Sequence, residues 1–410
     1  MSIDFDEVID RHGTGSLKYD CAESRGRSPD LLPLWVADMD LRAPQSVLDA
    51  LVERATHGIF GYTEPDDAFF AALTEWWETR HGWYIDRGWC TITPGVVYAL
   101  AVAVRAYTEP GDAVLVQQPV YYPFSEVVED NGRRLVNAPL SYNRQAGRYA
   151  VDLEAFEHTI ECGEVRLFLL CNPHNPVGRC WTPEELAAMG RICLAHGVTI
   201  VSDEIHADFA RTGHRHTPLA SLSEELAQQS VTCTSASKTF NLAGLQTSTI
   251  VIPNRRLRAR FRRVNAANGY SQANAMGLAA TEAAYRTGGP WLDELKAYLD
   301  GNLAALKEEL AGTSLRVIEP ESTYLIWVDC RELGLTDTDL TRLVEDEAGL
   351  WLDMGDVFGP AGSGFVRINI ACPRSMVREA SRRLAQACSQ APIGPTGSSV
   401  RTPAIGKSET

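Results

Sequence analysis

Four short apolar runs, each ending in a polar tip, constrain this chain more than any other feature. They are "AVLVQQPVYYPF" at 113–124, "VRLFLLCNPHNPVG" at 165–178, "GVTIVSDEIHADF" at 197–209 and "SVTCTSASK" at 230–238. Runs this short and this uniformly apolar suit strands buried on both faces. Helix-like stretches lie between them. One follows the strand and Pro-Gly turn of "WCTITPGVVYALAVAVRAYT" (89–108). Another opens at Thr182, Pro183 and Glu185 as N-cap, N1 proline and capping-box acid. Strands alternating with helices predict an α/β fold with a mainly parallel central sheet covered by helices. In such sheets ligands sit at the carboxyl ends of the strands, where the polar tips of this chain fall.

Beyond about residue 285 the texture changes. A helical stretch (291–310) precedes "LRVIEPESTYLIWVDC", an acidic helix near 337–348, "SGFVRINIACP" and a final helix near 374–389. The expected organisation is a large domain over 46–285 and a smaller C-terminal α/β domain over 286–390. Residues 1–45 pack with the smaller domain. The tail 391–410, rich in Pro, Gly, Ser and Thr, is expected to be flexible.

The formal net charge of −15 leaves no basic excess to neutralise phosphates, which argues against nucleic acid or an anionic membrane as the main partner. Ten cysteines are scattered without a CxxC pair, so a metal site lacks its usual spacing. The amino-terminal residues contain no secretory apolar segment, and no run approaches membrane-spanning length. The expected compartment is the reducing cytoplasm.

One lysine stands out. Lys238 lies in "TSASKTFNLAGLQ" (234–246), among small and hydroxyl residues instead of other charges. A lysine at a strand end in a buried cleft has a depressed pKa, and a neutral amine condenses with a carbonyl. Pyridoxal phosphate is the widely used carbonyl partner. It also needs a carboxylate for its ring nitrogen, backbone amides or hydroxyls for its phosphate, and a flat or apolar face for its ring. Asp203, at the end of "VTIVSD", is a candidate for the nitrogen, or an ordinary loop aspartate. Gly95, Val96 and Val97 open a helix and are candidates for the phosphate, as are the hydroxyls of Ser235 and Ser237. Tyr121 is a candidate stacking ring, or a core aromatic. Asn175 is a candidate for the phenolic oxygen, or an Asx turn before Pro176. Each has an ordinary structural role when taken alone. Their coincidence at five successive strand ends favours the cofactor.

"CNPHNPVG", "SDEIHADF" and "SASKTFNLAG", in that order and spacing, resemble the fold-type I pyridoxal-phosphate enzymes of the class I/II aminotransferase superfamily. The resemblance implies that Lys238 is the Schiff-base lysine, Asp203 the partner of the ring nitrogen, Asn175 that of the phenolic oxygen and Tyr121 the stacking ring. It implies that Arg367 in "FVRINIA" grips the substrate α-carboxylate, a bidentate task suited to arginine. Tyr62 in "GIFGYTEP" resembles a tyrosine that reaches phosphate across a dimer interface, so a homodimer is expected. Two positions depart from the common pattern. His206 stands where many members have tyrosine, and Gln246 where many have a phosphate-binding arginine. With "PLWVADMD" (33–40), "TGSLKYD" (14–20) and "NGYSQ" (268–272), these departures resemble the cystathionine β-lyase-like C–S lyases. Trp35, Asp38 and Met39 are candidates for the side-chain pocket, or a buried Trp–Met contact with a capping aspartate. The implied activity is β-elimination from S-substituted cysteines to thiol, pyruvate and ammonia. An aminotransferase, a natural-product tailoring enzyme acting on a cysteine conjugate and a non-catalytic cofactor-binding regulator are the alternatives.

Overall fold

The computed structural model describes residues 4–390; the expected tail 391–410 lies outside the described residues. Seven strands form the main sheet, in the spatial order Cys90–Thr93, Ser248–Val251, Ser230–Thr234, Thr199–Asp203, Val165–Cys171, Ala113–Val116 and Arg134–Asn137. Only Ser248–Val251 runs antiparallel to its neighbours; the other pairings are parallel.

Successive residues of a strand face opposite sides, and here both sides are apolar. Val114, Leu167, Leu169, Val201 and Val231 pack against the helices Val96–Tyr107 and Arg255–Ala267. Leu115, Phe168, Leu170 and Ile200 pack on the other face with Trp181, Leu186 and Met189. The helix Pro183–Ala195 behind that face starts as its sequence predicts. Thr182 Oγ1 accepts from the Glu185 amide, and the Glu185 carboxylate accepts from the Thr182 amide. Such a cap contributes about 1 kcal/mol.

A second, four-stranded antiparallel sheet has the order Arg316–Val317, Leu325–Asp329, Phe365–Asn369, Asp353–Met354. The helices Gly289–Leu310 and Arg374–Gln390 accompany it. The acidic stretch expected as one helix is an α-helix, Asp337–Arg342, followed by a wider π-helical turn, Leu343–Glu347.

The amino-terminal segment links the two sheets. Leu32 and Pro33 pair in parallel with Leu350 and Trp351. Asn369 Nδ2 donates to the carbonyls of Val36 and Asp38. Asn241, on the loop after Lys238, donates to the carbonyls of Met39 and Leu41 and accepts from the Met39 amide. Residues 35–41 are thus tied to both sheets by side-chain amides.

Candidate active site

Sheet register assembles the first half of the site. Asp203 lies opposite Cys171 on one neighbouring strand and Cys233 on the other. The loops leaving those strands carry Asn175 and Lys238, so three chemically distinct side chains converge from adjacent strand ends.

Lys238 sits in the single helical turn Ala236–Thr239. Its Nζ donates to the Ala37 carbonyl at 3.1 Å. Burial pushes its pKa down to about 8; Asp38 and Asp203 oppose that shift and Arg367 adds to it. A fraction of this amine is therefore neutral near pH 7. Burial raises the Asp203 carboxyl to about 7, against the Ile205 amide, which donates to Oδ1 at 3.1 Å. A carboxylate this costly to ionise alone suits a cationic partner. His206, buried and beside the charges of Lys238 and Arg367, is held neutral, its pKa lowered to about 3. Its buried Nδ1 has no partner among the described residues.

Asn175 is oriented by its neighbours. Its Oδ1 accepts from Arg367 Nη1 at 2.9 Å, which leaves the side-chain NH2 as the free donor. The Tyr121 amide donates to the Asn175 carbonyl at 3.1 Å, which fixes the tyrosine loop against the same turn. Burial raises the Tyr121 phenol, so it stays neutral.

The expected phosphate side is the start of Val96–Tyr107, with Gly95 at the N-cap. The first amides of a helix lack intrahelical acceptors. A Cβ on Gly95 would meet nothing within 4 Å, so the space before these amides is open. Gln246 has left-handed backbone (φ 46°) and, with Pro94, Tyr62 and Tyr270, lines a hollow of about 710 Å³. Tyr62 is 95% exposed at its rim. Gly277, in the helix Ala275–Thr287, presses on this loop: a Cβ there would meet Thr247 Oγ1 at 1.9 Å.

Several expectations need correcting. Ser235 was expected to offer its hydroxyl to phosphate. It donates instead to the Thr247 carbonyl at 2.6 Å and accepts from the Ser237 amide, so its proton is committed to the turn. Met39 was expected to line the side-chain pocket, but it is 1% exposed and packed in the core, because its backbone is bound on both sides to Asn241. The Trp35 ring stacks on Trp351 with centroids 4.5 Å apart; its contribution to the site is its carbonyl, which accepts from Arg367. Asp38 pairs with Arg11 through Oδ2, and its Oδ1 is buried without a partner among the described residues.

Four participants escaped sequence reasoning. Ala37 acts through its carbonyl, which accepts from both Lys238 and Tyr324. Tyr324 also faces His206, with ring centroids 6.0 Å apart. Asn241 carried a faint signal as the polar residue of the turn "NLAG". Asp353 is the direct cross-strand neighbour of Arg367 and pairs with it.

These residues fit pyridoxal phosphate. A half-buried amine with a depressed pKa, a buried carboxylate, a free amide donor, an unpartnered imidazole nitrogen and an open helix start supply the donors and acceptors that the cofactor requires. The one departure is Gln246, which brings no charge to the phosphate side. Among the described residues no group of three or more His, Cys, Asp or Glu is arranged to hold a metal.

Comparison with known proteins agrees. Residues 29–384 match the family "Aminotransferase class I and II". The chain is 46% identical over 391 residues to cystathionine beta-lyase PatB of Bacillus subtilis, covering 94% of this chain and all of that protein. It is 34% identical to protein MalY of Escherichia coli, covering 92% and 96%. The structure of cystalysin from Treponema denticola, which contains a pyridoxal 5'-phosphate cofactor, superposes with a TM-score of 0.91 at 34% identity, over 95% and 99% of the two chains. A PLP-bound putative aminotransferase from Clostridium difficile gives 0.92 at 40% identity, over 94% and 100%. The chain therefore belongs to the class I and II aminotransferase family of pyridoxal-phosphate enzymes, among its cystathionine β-lyase-like members.

Proposed function

We propose that this protein is a pyridoxal-phosphate-dependent C–S β-lyase. It converts an S-substituted L-cysteine and water into a thiol, pyruvate and ammonia. The observation that carries it is the convergence of Lys238, Asp203 and the Asn175–Arg367 pair, close enough for Asp203 and Arg367 to act on the charge of Lys238, in a chain 46% identical to a cystathionine beta-lyase.

Lys238 would hold the cofactor covalently through Nζ, and Asp203 would accept the proton-bearing ring nitrogen. The Asn175 NH2 would donate to the phenolic oxygen, Tyr121 would cover the ring, and the amides of Val96 and Val97 with Ser237 would take the phosphate. When bound, the cofactor supplies the electron sink that makes Cα–H cleavage feasible. Arg367 and Asn175 orient the α-carboxylate. Lys238 Nζ, its pKa lowered by burial, is the group that would take the Cα proton near neutrality. The proton on Nζ can then return to the departing sulfur or to solvent. His206, held neutral, adds no charge beside Lys238 and leaves Nδ1 as a polar contact. The phenol of Tyr121 remains protonated throughout.

A homodimer accompanies this function. Tyr62 at 95% exposure, with Ile59 at 68% and Phe60 at 61%, forms an apolar surface beside the phosphate side that a second copy would cover. We place the protein in the cytoplasm, a reducing compartment in which its ten free cysteines stay reduced. Among the described residues no helix is long and apolar enough to cross a membrane.

The test is a partition assay. The cofactor-loaded protein is incubated with L-cystathionine and no 2-oxo acid, and pyruvate, ammonia and thiol are measured. Equal release of all three over many turnovers supports the lyase. Turnover that requires an added 2-oxo acid assigns the protein to the aminotransferases instead.

A further inference from the structure

Arg367 is committed within its own chain more fully than a carboxylate grip should be. The residue is 1% exposed, and its guanidinium lies over the Phe358 ring, 4.9 Å from the centroid. Nη1 donates to Asn175 Oδ1 at 2.9 Å. Nη2 donates to the Trp35 carbonyl at 2.9 Å and to Asp353 Oδ2. Nε is buried without a partner among the described residues.

Guanidinium offers a carboxylate two bidentate edges, one formed by Nη1 and Nη2, the other by Nε and Nη2. Both edges require a hydrogen on Nη2, and both Nη2 hydrogens are in use. The hydrogens left over, on Nη1 and Nε, belong to different edges and cannot form a fork. Trp35 contributes a backbone carbonyl held between two sheets. Asp353 contributes a side chain that can rotate away.

Asp353 also faces the site. Its charge is felt by both Tyr121 and Tyr122, whose phenols it helps to raise. Burial raises its own carboxyl, and only Arg367 opposes this. Arg367 is thus its one charged support.

We propose that Asp353 is a specificity-determining internal competitor: it occupies Arg367 in the free enzyme and must leave Nη2 before a substrate α-carboxylate can bind bidentately. The competition lowers affinity for every α-carboxylate ligand alike and leaves ligands without that group unaffected. It rests on the assignment of Arg367 as the α-carboxylate grip, and the test separates the two.

L-Methionine, which has no leaving group on Cβ, and 3-(methylthio)propylamine differ only in the carboxylate. Their dissociation constants are measured by calorimetry on the cofactor-loaded protein, without reliance on turnover. Asp353→Asn should tighten methionine about tenfold, the worth of one charge-assisted hydrogen bond released from a rival, and leave the amine unchanged. Asp353→Ser serves the same purpose should the Asn variant not fold. An unchanged methionine constant, or an equal shift for both ligands, overturns the proposal. Arg367→Ala separates the premise. Loss of the methionine preference in that variant upholds the grip, so a null result at Asp353 then refutes the competition alone. Persistence of the preference overturns the grip and the competition together.

Discussion

The two halves of the site are built in different ways. Asp203 ends its strand, and Asn175 and Lys238 lie a few residues beyond its paired neighbours Cys171 and Cys233 on the adjacent parallel strands. Backbone register holds them, and no one side chain could displace them. Arg367, Asp353, Trp35 and Ala37 come from the second sheet and the amino-terminal segment, and polar side chains hold them together. Those include Asn369 on Val36 and Asp38, Asn241 on Met39 and Leu41, and the Lys18–Asp40–Arg11 cluster. The first half is rigid chemistry on a scaffold. The second is the proposed carboxylate grip, whose geometry depends on a few ion pairs and amides, so it can be retuned by single substitutions.

That contrast can be broken at its strongest point first. Lys238→Ala should lower kcat by about four orders of magnitude or more, because the proposed covalent anchor and the proposed Cα base are one atom. It should leave the thermal transition of the cofactor-free chain nearly unmoved. Turnover at the parental rate would show that the first half is not where the chemistry lies.

The second half should fail through stability instead. Asp40 is buried, with Lys18 Nζ at 2.7 Å and Arg11 Nη1 at 2.6 Å. Asp40→Ala leaves a buried ammonium without its counter-ion and should cost about 4 kcal/mol in denaturant unfolding. A loss comparable to that of an exposed pair would mean that the segment is held by its backbone pairing alone.

Arg367→Ala should raise KM about a hundredfold while changing kcat far less, the mark of lost ground-state binding. Arg367→Lys should recover little, since an ammonium has no fork to match a carboxylate. Equal losses in kcat and kcat/KM would move Arg367 into the chemical machinery.

The smallest effect is a pH slope. Asp203 has a folded pKa raised to about 7 from an ordinary 3.8. Between those values the folded chain binds more protons than the unfolded one, so stability falls as pH rises through that window. His206, lowered to about 3 from 6.5, gives the opposite slope. Comparing the cofactor-free chain with Asp203→Asn isolates the aspartate. The parent should lose about 3 kcal/mol more than the variant between pH 4 and 7, read from denaturant midpoints. Matching slopes would mean that Asp203 is solvated without the cofactor.

Much of the first half was legible in the sequence. Strand periodicity and polar tips are local signals, and each tip residue lies within five positions of the strand that places it. The Thr182–Glu185 cap was readable for the same reason. Ser235 was misjudged because a hydroxyl beside a lysine looks alike whether it turns outward to a ligand or inward to the Thr247 carbonyl. Met39 was misjudged because its burial follows from Asn241, 202 residues away. Ala37 has no functional group to notice, and its carbonyl matters only because Lys238 and Tyr324 both arrive at it.

By itself the sequence determined the parallel sheet, the cofactor class and the order of residues along the cleft. Apolar alternation, turn chemistry and amine burial are properties of short stretches. Tertiary structure alone decided which groups Arg367 would find in its fork. Hydrogen-bond partners 14, 192 and 332 positions away in the chain meet it only after both sheets and the amino-terminal segment have packed. No local pattern encodes the competition between Asp353 and a substrate for one nitrogen.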